Sequence, residues 1–478
     1  MPVSALVLRF RPEVRLEETE GGEMWLHAPW GTAALGLLAP GLGAALRTLA
    51  GDGATADALA DQLAATGDAS ALAWLYHALE RWSAQGLLSY TLSGPDGVIA
   101  TVVPATRDFR LGPADLAPES CFRLARFAYV RQEGDRLALA SPAATARVLL
   151  PAPIGAALLT ALMQPSTVRA FIIAGGLPEE TVTELFGLMA QAGLIEIAAD
   201  GAAPQEKEDV ALAQWEFHDL IFHRHSRLGR HGGAIGGTFP FAGTIPPLPA
   251  VKPPNGEPPI PLERPSIEHL ERTDRSLTWA LERRRSRRTY GDAPITAAQL
   301  GEFLYRVARI RAVIPAVEGQ RTSYEASDRP YPSGGATYDL ELYPAIQSCT
   351  GLDAGLYHYD PLAHTLERLP AQPAQVQALL RDATRAAPLS SPPQVLIVLT
   401  SRFQRLSWKY RSIAYAATLK HVGVLYQSMY LVATAMGLAP CALGTGDADL
   451  FSAAAGTDYF AESSVGEFFL GSAAAGSS

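Results

Sequence analysis

The sequence has few cysteines, little charge and no long hydrophobic run. Its three cysteines, Cys121, Cys349 and Cys441, lie far apart and do not form a zinc or redox motif. Hydrophobic residues make up 48% and charged residues 18% of the 478 positions, which excludes a disordered chain. No apolar stretch reaches the roughly 18 residues of a membrane span, and the N-terminus lacks a signal-peptide core. We therefore expect a reduced, cytoplasmic protein with no metal and no membrane partner.

The net charge makes a nucleic-acid partner improbable. Thirty-nine basic and 48 acidic residues give a formal charge of −9, whereas binding to a phosphate backbone requires an excess of positive charge. Any local basic run needs a local explanation. The length suggests about three domains at roughly 150 residues each.

The first 205 residues contain one pattern twice. The segment Glu20–Pro29 resembles Glu133–Pro142, and two later segments recur in the same order. Each copy predicts a hairpin around a Glu-Gly turn, then two or three helices, and then a strand that follows a glycine. This pattern predicts two winged-helix-like domains of the peptide-recognition type, at residues 1–95 and 100–205.

The last helix of each copy argues against DNA binding. A recognition helix for DNA carries several Lys or Arg residues, but the first copy has only Arg81 and the second has none. Two interpretations stay open. The copies are either structural caps or peptide-binding modules in which an exposed strand edge accepts an extended peptide.

Residues 206–265 are rich in Gly and Pro, which predicts an irregular linker arm packed on a domain surface. Its GGAIGG stretch lacks the preceding strand and following helix of a nucleotide-binding loop. Four histidines, His218, His223, His225 and His231, match no standard metal spacing. We interpret them as surface or interface residues.

A run of arginines near position 285 indicates an anion site. Five arginines fall among the six residues from Arg283 to Arg288, at the predicted end of an amphipathic helix. Their mutual repulsion would be relieved by a phosphate, which the planar guanidinium groups and the hydroxyl of Ser286 can bind. A solvated basic face or an RNA patch is the alternative.

The run also carries a family resemblance. Its R-R-S-x-R-x-Y pattern resembles the FMN-phosphate signature of nitroreductase-like flavoproteins, and two later segments resemble the flavin-contacting segments of that family. The matching positions are Arg284, Arg285, Ser286, Arg288 and Tyr290 in the signature, Pro332, Ser333, Gly334 and Gly335 in a P-S-G-G turn, and Cys441, Ala442, Leu443 and Gly444 in a loop under the flavin ring.

The resemblance implies an α+β fold, with an FMN-binding domain over residues 266–478 that has an antiparallel-dominated sheet wrapped by helices. It also implies a homodimer, because the P-S-G-G turn of such proteins reaches the flavin of the other subunit. Residues 465–471 match the final core strand of the family. One departure is the tail, SAAAGSS, which lacks the Lys or Arg that many relatives place after this strand.

A narrower resemblance depends on Lys409 and Tyr410. Together with the Pro-rich arm and the P-S-G-G turn, this dyad is similar to the SagB-type or McbC-like azoline dehydrogenases, which include the cyanobactin oxidases. The resemblance implies FMN-dependent oxidation of thiazoline and oxazoline rings to thiazole and oxazole in ribosomally made, modified peptides. The implied partners are an azoline-containing peptide, a precursor leader peptide and a cyclodehydratase.

The dyad also has a chemical rationale of its own. It precedes a helix predicted at residues 412–436, which has enough apolar residues all round to be buried. A lysine at this point would be partly desolvated, which lowers its pKa toward that of a useful base, and Tyr410 could relay a proton. The alternative is an exposed lysine beside a packing tyrosine.

Three functions are therefore compatible with the sequence. The first is an azoline oxidase, the second is a NAD(P)H-dependent nitro or quinone reductase, and the third is a peptide-binding scaffold whose flavin domain is inactive. The large N-terminal half suits a peptide substrate, and the arginine run together with the dyad argues against the inactive scaffold.

Overall fold

The computed structural model describes residues 6–28, 31–65, 67, 69–112, 116, 120–175, 177–198, 210–255, 257–387, 389 and 393–474. The end of the second predicted repeat (199–205), the start of the predicted arm (206–209) and the tail after residue 474 lie outside the described residues. The chain divides into two compact units, Met1–Ile235 and Gly236–Ser478. The predicted domain boundaries stay a prediction, although this division places residues 236–265 of the arm in the C-terminal unit.

The helices and strands of the N-terminal unit are β1 Val7–Phe10, β2 Arg15–Glu18, β3 Glu23–Ala28, β4 Gly31–Leu37, α1 Pro40–Ala50, α2 Ala56–Ala64, α3 Ala69–Ala84, β5 Leu88–Gly94, β6 Gly97–Pro104, β7 Cys121–Leu124, β8 Tyr129–Glu133, β9 Arg136–Ala140, β10 Ala146–Pro151, α4 Ala152–Leu162, β11 Ser166–Thr167, α5 Val168–Gly175, α6 Glu179–Ala192, β12 Ile195–Ala198, α7 Val210–Ala213 and α8 Phe217–His225.

The internal repeat is present in the structure. Each copy has a first strand, a three-stranded meander, three helices and a return strand that pairs antiparallel with the first strand. The first strands are β1 and β7, and the return strands are β5 and β12. The predicted hairpins, last helices and return strands are thereby confirmed, whereas the name winged helix stays an interpretation.

The two copies share a sheet and a core. Strands from both copies form one six-stranded sheet in the order β1-β5-β6-β10-β9-β8, so β8 is an edge strand among the described residues. Buried side chains of both copies, including Leu75, Leu88, Val148 and Phe186, belong to one hydrophobic cluster. This shared burial joins the two repeats into a single folded unit.

The helices and strands of the C-terminal unit are β13 Gly236–Gly237, β14 Ile260–Pro261, α9 Ile267–Thr273, α10 Leu277–Arg283, α11 Ala297–Ala308, β15 Ala312–Ile314, β16 Ala326–Asp328, β17 Leu340–Ile346, β18 Gly355–Asp360, β19 Thr365–Arg368, α12 Pro373–Ala386, β20 Val395–Arg402, α13 Gln404–Ser407, β21 Tyr410–Arg411, α14 Ala414–Ala435, β22 Leu438–Ala442, α15 Ala448–Ala455 and β23 Glu462–Ser472.

A seven-stranded antiparallel sheet organises this unit, in the order β14-β19-β18-β17-β20-β23-β22. Alternate residues of β20 pack on opposite faces. Ile397 and Leu399 pack in the cluster that includes α11 and α14, and Leu396 and Val398 in the cluster that includes α12 and α15. The sheet is therefore covered by helices on both faces, which confirms the predicted α+β fold and the predicted last strand.

Residues 236–265 of the predicted arm are largely irregular, as their Gly and Pro content indicates, and they pack within the C-terminal unit. The prediction is wrong for residues 210–225, which contain α7 and α8 and belong to the N-terminal unit. The indole of Trp408 donates to the carbonyl of Ile245 (2.7 Å), and the ammonium of Lys252 contacts the carboxylate of Glu462 (2.5 Å). Strand β13 pairs with β21, which contains Tyr410. The arm therefore holds the backbone of the Lys409–Tyr410 dyad.

Three details of the sequence prediction are wrong. Helix α10 ends at Arg283, so the remaining arginines follow the helix instead of ending it. The alternating residues 338–343 predict a strand from Tyr338. The strand begins instead at Leu340, because Tyr338 has φ 42° in the preceding turn, and all residues of the strand are buried.

The third error concerns α14. It is buried only along a stripe that includes Thr418, Val422, Leu425 and Met429, whereas Tyr415 is 48% exposed. No helix among the described residues is long and apolar enough to cross a membrane.

Candidate functional site

The arginine run lies in an extended segment between α10 and α11 and is fixed by its contacts with α14 and β22. The amide of Arg287 donates to the carbonyl of Pro440 (2.8 Å). The guanidinium of Arg284 lies over the ring of Tyr430, at 5.2 Å from its centroid. Arg285 and Arg288 are exposed. The run therefore presents its guanidinium groups from a backbone that the sheet and α14 hold in place.

Tyr430 of α14 connects the first and third predicted motifs. Its hydroxyl lies 2.8 Å from the hydroxyl of Ser286 and accepts the amide hydrogen of Ala442 at 2.8 Å. Its ring packs edge-on against Phe468 of β23 at 5.2 Å between centroids. Burial raises the pKa of the nearby Cys441 thiol, while interactions with Arg288 and Ser286 lower it. The structure thus brings Arg284, Ser286, Arg288, Cys441 and Ala442 together, as a group that we call the phosphate cluster.

The polar groups of the phosphate cluster fit an anionic ligand. Within the described part of the chain, no ion pair joins a carboxylate to Arg284, Arg285 or Arg288. The hydroxyl of Tyr290 is buried and has no hydrogen-bond partner among these residues. Uncompensated guanidinium groups next to hydroxyl donors are the donor set that a phosphate prefers.

The third motif is a strand rather than a loop over most of its length, which corrects the prediction. Residues Leu438–Ala442 form β22 at the edge of the large sheet, and Cys441 is fully buried. The chain leaves the sheet only at Leu443, which is also buried, and Gly444 is exposed. Cys441 and Leu443 therefore serve packing, and an exposed loop begins at Gly444.

The P-S-G-G turn is tightly bent. Gly335 has φ 63° and Ala336 has φ 54°, both in the left-handed region that glycine adopts at low cost. A side chain at Gly335 would also collide with the ammonium of Lys409 and the hydroxyl of Tyr410. Glycine is required here for its backbone angle and for this close approach. Pro332 and Gly335 are exposed, whereas Ser333 and Gly334 are partly buried.

Asp339 and His421 support this turn through hydrogen bonds. Asp339 is fully buried and accepts hydrogen bonds from Ser401 (2.7 Å) and Thr418 (3.0 Å). Its other oxygen lies 2.6 Å from Nδ1 of His421, and Nε2 of His421 accepts the amide hydrogen of Gly334 at 2.8 Å. The carboxylate therefore keeps the imidazole proton on Nδ1 and leaves Nε2 free to accept.

Lys409 and Tyr410 lie beside the turn. The ammonium of Lys409 donates to the hydroxyl of Tyr324 at 2.5 Å, and this hydroxyl donates to the carbonyl of Gly335 at 2.6 Å. The Lys409 nitrogen also lies 4.9 and 5.1 Å from the ring centroids of Tyr324 and Tyr410. The structure thus brings Ser333, Gly334, Gly335, Lys409 and Tyr410 together, with Tyr324, as a group that we call the proton cluster.

The pKa of Lys409 differs from the expectation. Burial lowers it, as predicted, but the hydrogen bond to Tyr324 and the phenols of Tyr324 and Tyr410 outweigh burial and raise the pKa above that of an ordinary lysine. At neutral pH the side chain is therefore an ammonium. It donates hydrogen bonds in this state, and it accepts a proton only after losing one.

The two clusters contact α14 at different points. His421 supports the proton cluster and Tyr430 contacts the phosphate cluster. The nine helical positions between them correspond to roughly 14 Å at about 1.5 Å per residue. The predicted site residues therefore form two separate groups within one chain.

Two family models match the chain. The model of the nitroreductase family matches residues 281–471, which include both clusters and the large sheet. The C-terminal unit is therefore similar to the nitroreductase family over these residues. The model of the cyanobactin oxidase ThcOx matches residues 122–232, within the N-terminal unit.

Two known proteins are similar to part of the chain. A protein of Methanocaldococcus jannaschii that is named as a nitroreductase is 27% identical over 183 residues, which are 38% of this chain and 83% of that protein. The microcin B17-processing protein McbC of Escherichia coli is 34% identical over 115 residues, which are 23% of this chain and 42% of McbC. The chain thus spans less than half of McbC. The predicted resemblance to McbC-like azoline oxidases of the nitroreductase superfamily is confirmed.

A solved structure is also similar. A chain of the Escherichia coli microcin synthetase McbBCD complex, with truncated pro-MccB17 bound, matches with 21% identity and a TM-score of 0.33. The match spans 44% of this chain and 84% of that chain.

Four side chains at the two clusters have no motif that identifies them in the sequence: Tyr324, Asp339, His421 and Tyr430. Asp339 and His421 are 82 positions apart, and Lys409 and Tyr324 are 85 apart, so no local pattern connects them. A usable signal was present in α14, where His421 and Tyr430 are polar groups on a largely apolar helix. Such residues in a buried stripe require partners.

Proposed function

We propose that the protein is an FMN-dependent oxidase that converts thiazoline or oxazoline rings of a modified peptide to thiazole or oxazole. The observation that carries this proposal is the proton cluster, in which Lys409, Tyr324 and Tyr410 surround an exposed glycine turn. The similarity to McbC, a protein named for processing microcin B17, supports a peptide substrate.

The phosphate cluster would hold the phosphate of FMN. Arg284 and Arg288 would supply charged donors, Ser286 and Tyr290 would supply hydroxyl donors, and Tyr430 keeps Ser286 in position. FMN supplies a hydride acceptor when it is bound. The arginine run would supply the positive charge that neutralises the phosphate.

The proton cluster would handle the proton that leaves the ring during aromatisation. Neutral Lys409 would accept this proton at Nζ, and the adjacent Tyr324 hydroxyl, at 2.5 Å, provides a place to pass it on. Tyr410 would orient the ring or relay the proton. Asp339 and His421 act through the Gly334 amide, which they hold in place for this purpose.

A NAD(P)H-dependent nitro or quinone reductase is the second candidate, because the Methanocaldococcus relative is matched over most of its length. Turnover distinguishes the two candidates. The protein is incubated in air with thiazoline and oxazoline peptides, and the products are examined by mass spectrometry. Loss of two hydrogen atoms from the peptide supports the oxidase. Reduction of nitroaromatics by NADPH with unchanged peptides supports the reductase.

Replacement of Tyr324 by Phe should shift the pH dependence of turnover. The hydrogen bond and the phenol of Tyr324 keep the pKa of Lys409 high, so their removal lowers this pKa. If neutral Lys409 is the base, turnover rises with pH as the ammonium loses its proton, and the rise should occur at lower pH in the variant. The measurement is turnover under saturating substrate from pH 6 to 10, with the exposed Tyr76→Phe as the control. An unmoved rise, or a shift to higher pH, would contradict this role.

We also expect a homodimer. The proton and phosphate clusters are separate within one chain, and a second copy could bring the turn of one subunit to the phosphate cluster of the other. Large apolar side chains of the C-terminal unit are exposed, including Leu419 at 40% and Phe460 at 84%. Light scattering at micromolar concentration should give about twice the 50.9 kDa of one chain. A monomer that retains FMN would be the contrary result.

The remaining partners follow from the same proposal. A precursor leader peptide would bind the N-terminal unit, whose edge strand β8 has three exposed residues in its centre. A cyclodehydratase would supply the azoline ring. These reactions place the protein in the cytoplasm, where such peptides are made.

A further inference from the structure

A basic cavity of about 250 Å³ lies in the N-terminal unit. Its walls come from both repeats and from α8 with the loop after it. Five of the lining residues are arginines, whereas only one is acidic, Glu13. The arginines are Arg11, Arg131, Arg147, Arg224 and Arg230. Such a concentration of positive charge in a chain of net charge −9 requires a reason.

The carboxylates near the cavity do not balance these arginines. Glu13 lies 3.4 Å from Arg11, and Glu133 is shared between Arg131 and Arg147. Arg224 donates to the backbone carbonyls of Arg230, at 2.7 Å, and Pro142. Arg230 itself forms no ion pair with any described residue. Two carboxylates therefore face five guanidinium groups.

The cavity is also partly removed from solvent. Arg11 is 3% exposed, and burial, together with the charge of Arg230, lowers the pKa of Arg224 to about 10. His225 and His231 stack at 4.6 Å between ring centroids. Burial and the neighbouring positive charges lower the pKa of His231 to about 4. The positive charge of the cavity and its limited contact with water therefore both disfavour the binding of a cation.

His231 lies at the same wall of the cavity. Its Nδ1 lies 3.2 Å from the amide nitrogen of Gly233 and accepts its hydrogen, which puts the proton of the neutral ring on Nε2. The ring also forms a hydrogen bond with the backbone of His225. The excess charge of the arginines, rather than this imidazole, is therefore the feature that favours an anion.

We propose that this cavity binds a side-chain carboxylate of an acidic peptide segment. Planar guanidinium groups match a carboxylate by paired hydrogen bonds, and an anion would offset the excess charge of the arginines. Arg131 belongs to the edge strand β8, so a peptide whose carboxylate enters the cavity could continue along an open strand edge. That a peptide carries the carboxylate rests on the proposed function, whereas the affinity of the cavity for a carboxylate does not.

The test uses the full-length protein and fluorescein-labelled peptides with blocked termini, one rich in Glu and a matched one with Gln at the same positions. Fluorescence anisotropy should show tighter binding of the Glu peptide, and Arg230→Gln should weaken it about tenfold or more, as expected for the loss of a charged hydrogen bond. Arg131→Gln changes an exposed side chain, and it should weaken binding of the Glu peptide as well. Arg81→Gln removes the same charge from α3 and should leave binding unchanged.

Three results would overturn the proposal. The first is equal affinity for the Glu and Gln peptides, and the second is unchanged binding in both Arg230→Gln and Arg131→Gln. The third is displacement of the Glu peptide by inorganic phosphate at far lower concentration than by acetate, which would assign the cavity to phosphate. Oxidation of a small azoline without acidic residues is measured in parallel. Its failure would count against the proposed function and would leave the carboxylate site intact.

Discussion

Replacement of both Arg284 and Arg288 by alanine is expected to give colourless protein. The two guanidinium groups have no carboxylate partner among the described residues and lie with Ser286 near Tyr430, so the proposed FMN phosphate is their only strong anionic partner. A hydrogen bond to a charged group contributes about 1.5–3 kcal/mol, so the loss of two should weaken FMN binding by roughly 10²- to 10⁴-fold.

The measurement is the flavin absorbance of purified protein, followed by titration of the apoprotein with FMN. Arg283→Ala is the matched control, because its guanidinium packs on Trp279 at 4.9 Å at the end of α10 and does not reach the cluster. The control should remain yellow. Full retention of FMN by the double variant, with the fold intact by circular dichroism, would remove the arginine run from the cofactor site.

Replacement of Lys409 by alanine is expected to abolish most of the turnover while FMN stays bound. Lys409 contacts Tyr324 and the glycine turn and has no contact with the arginine run, so the variant should keep its flavin. General acid–base catalysis contributes roughly 10²- to 10⁴-fold to a rate, and turnover should fall by this factor. Tyr410→Phe should lose less, because a relay or an orienting group is less essential than the base.

Lys420→Ala is the control for this experiment, since Lys420 is exposed on α14, near the dyad in sequence. Its turnover should equal that of the unaltered protein. Near-normal oxidation by Lys409→Ala would exclude Lys409 as the base. Loss of FMN in that variant would instead assign Lys409 to cofactor binding and leave the base to be found.

Local patterns in the sequence were sufficient for much of the architecture. The repeat was visible because Glu20–Pro29 and Glu133–Pro142 share a hairpin pattern, and the structure has the same order of strands and helices in both copies. The last strand was predictable because residues 465–471 match a family segment. The arginine run was conspicuous because it is concentrated in an acidic chain.

Long-range contacts were not predictable from these patterns. The sequence predicts the desolvation of Lys409, but the direction of its pKa shift depends on Tyr324, which contacts Lys409 only in the folded chain. The structure buries less of α14 than its sequence predicts, because an apolar sequence does not reveal which faces of a helix pack against other elements. The buried Asp339–His421 pair joins β17 to α14 and has no sequence spacing that would reveal it.

The most direct test of the account is a single-turnover experiment without oxygen. Purified yellow protein is mixed anaerobically with a thiazoline peptide in the absence of NAD(P)H, and the flavin absorbance is recorded while the peptide is analysed by mass spectrometry. We predict that the flavin bleaches and that an equivalent amount of peptide loses two hydrogen atoms. A flavin that stays yellow with the peptide but bleaches with NADPH alone would contradict the account and favour the reductase.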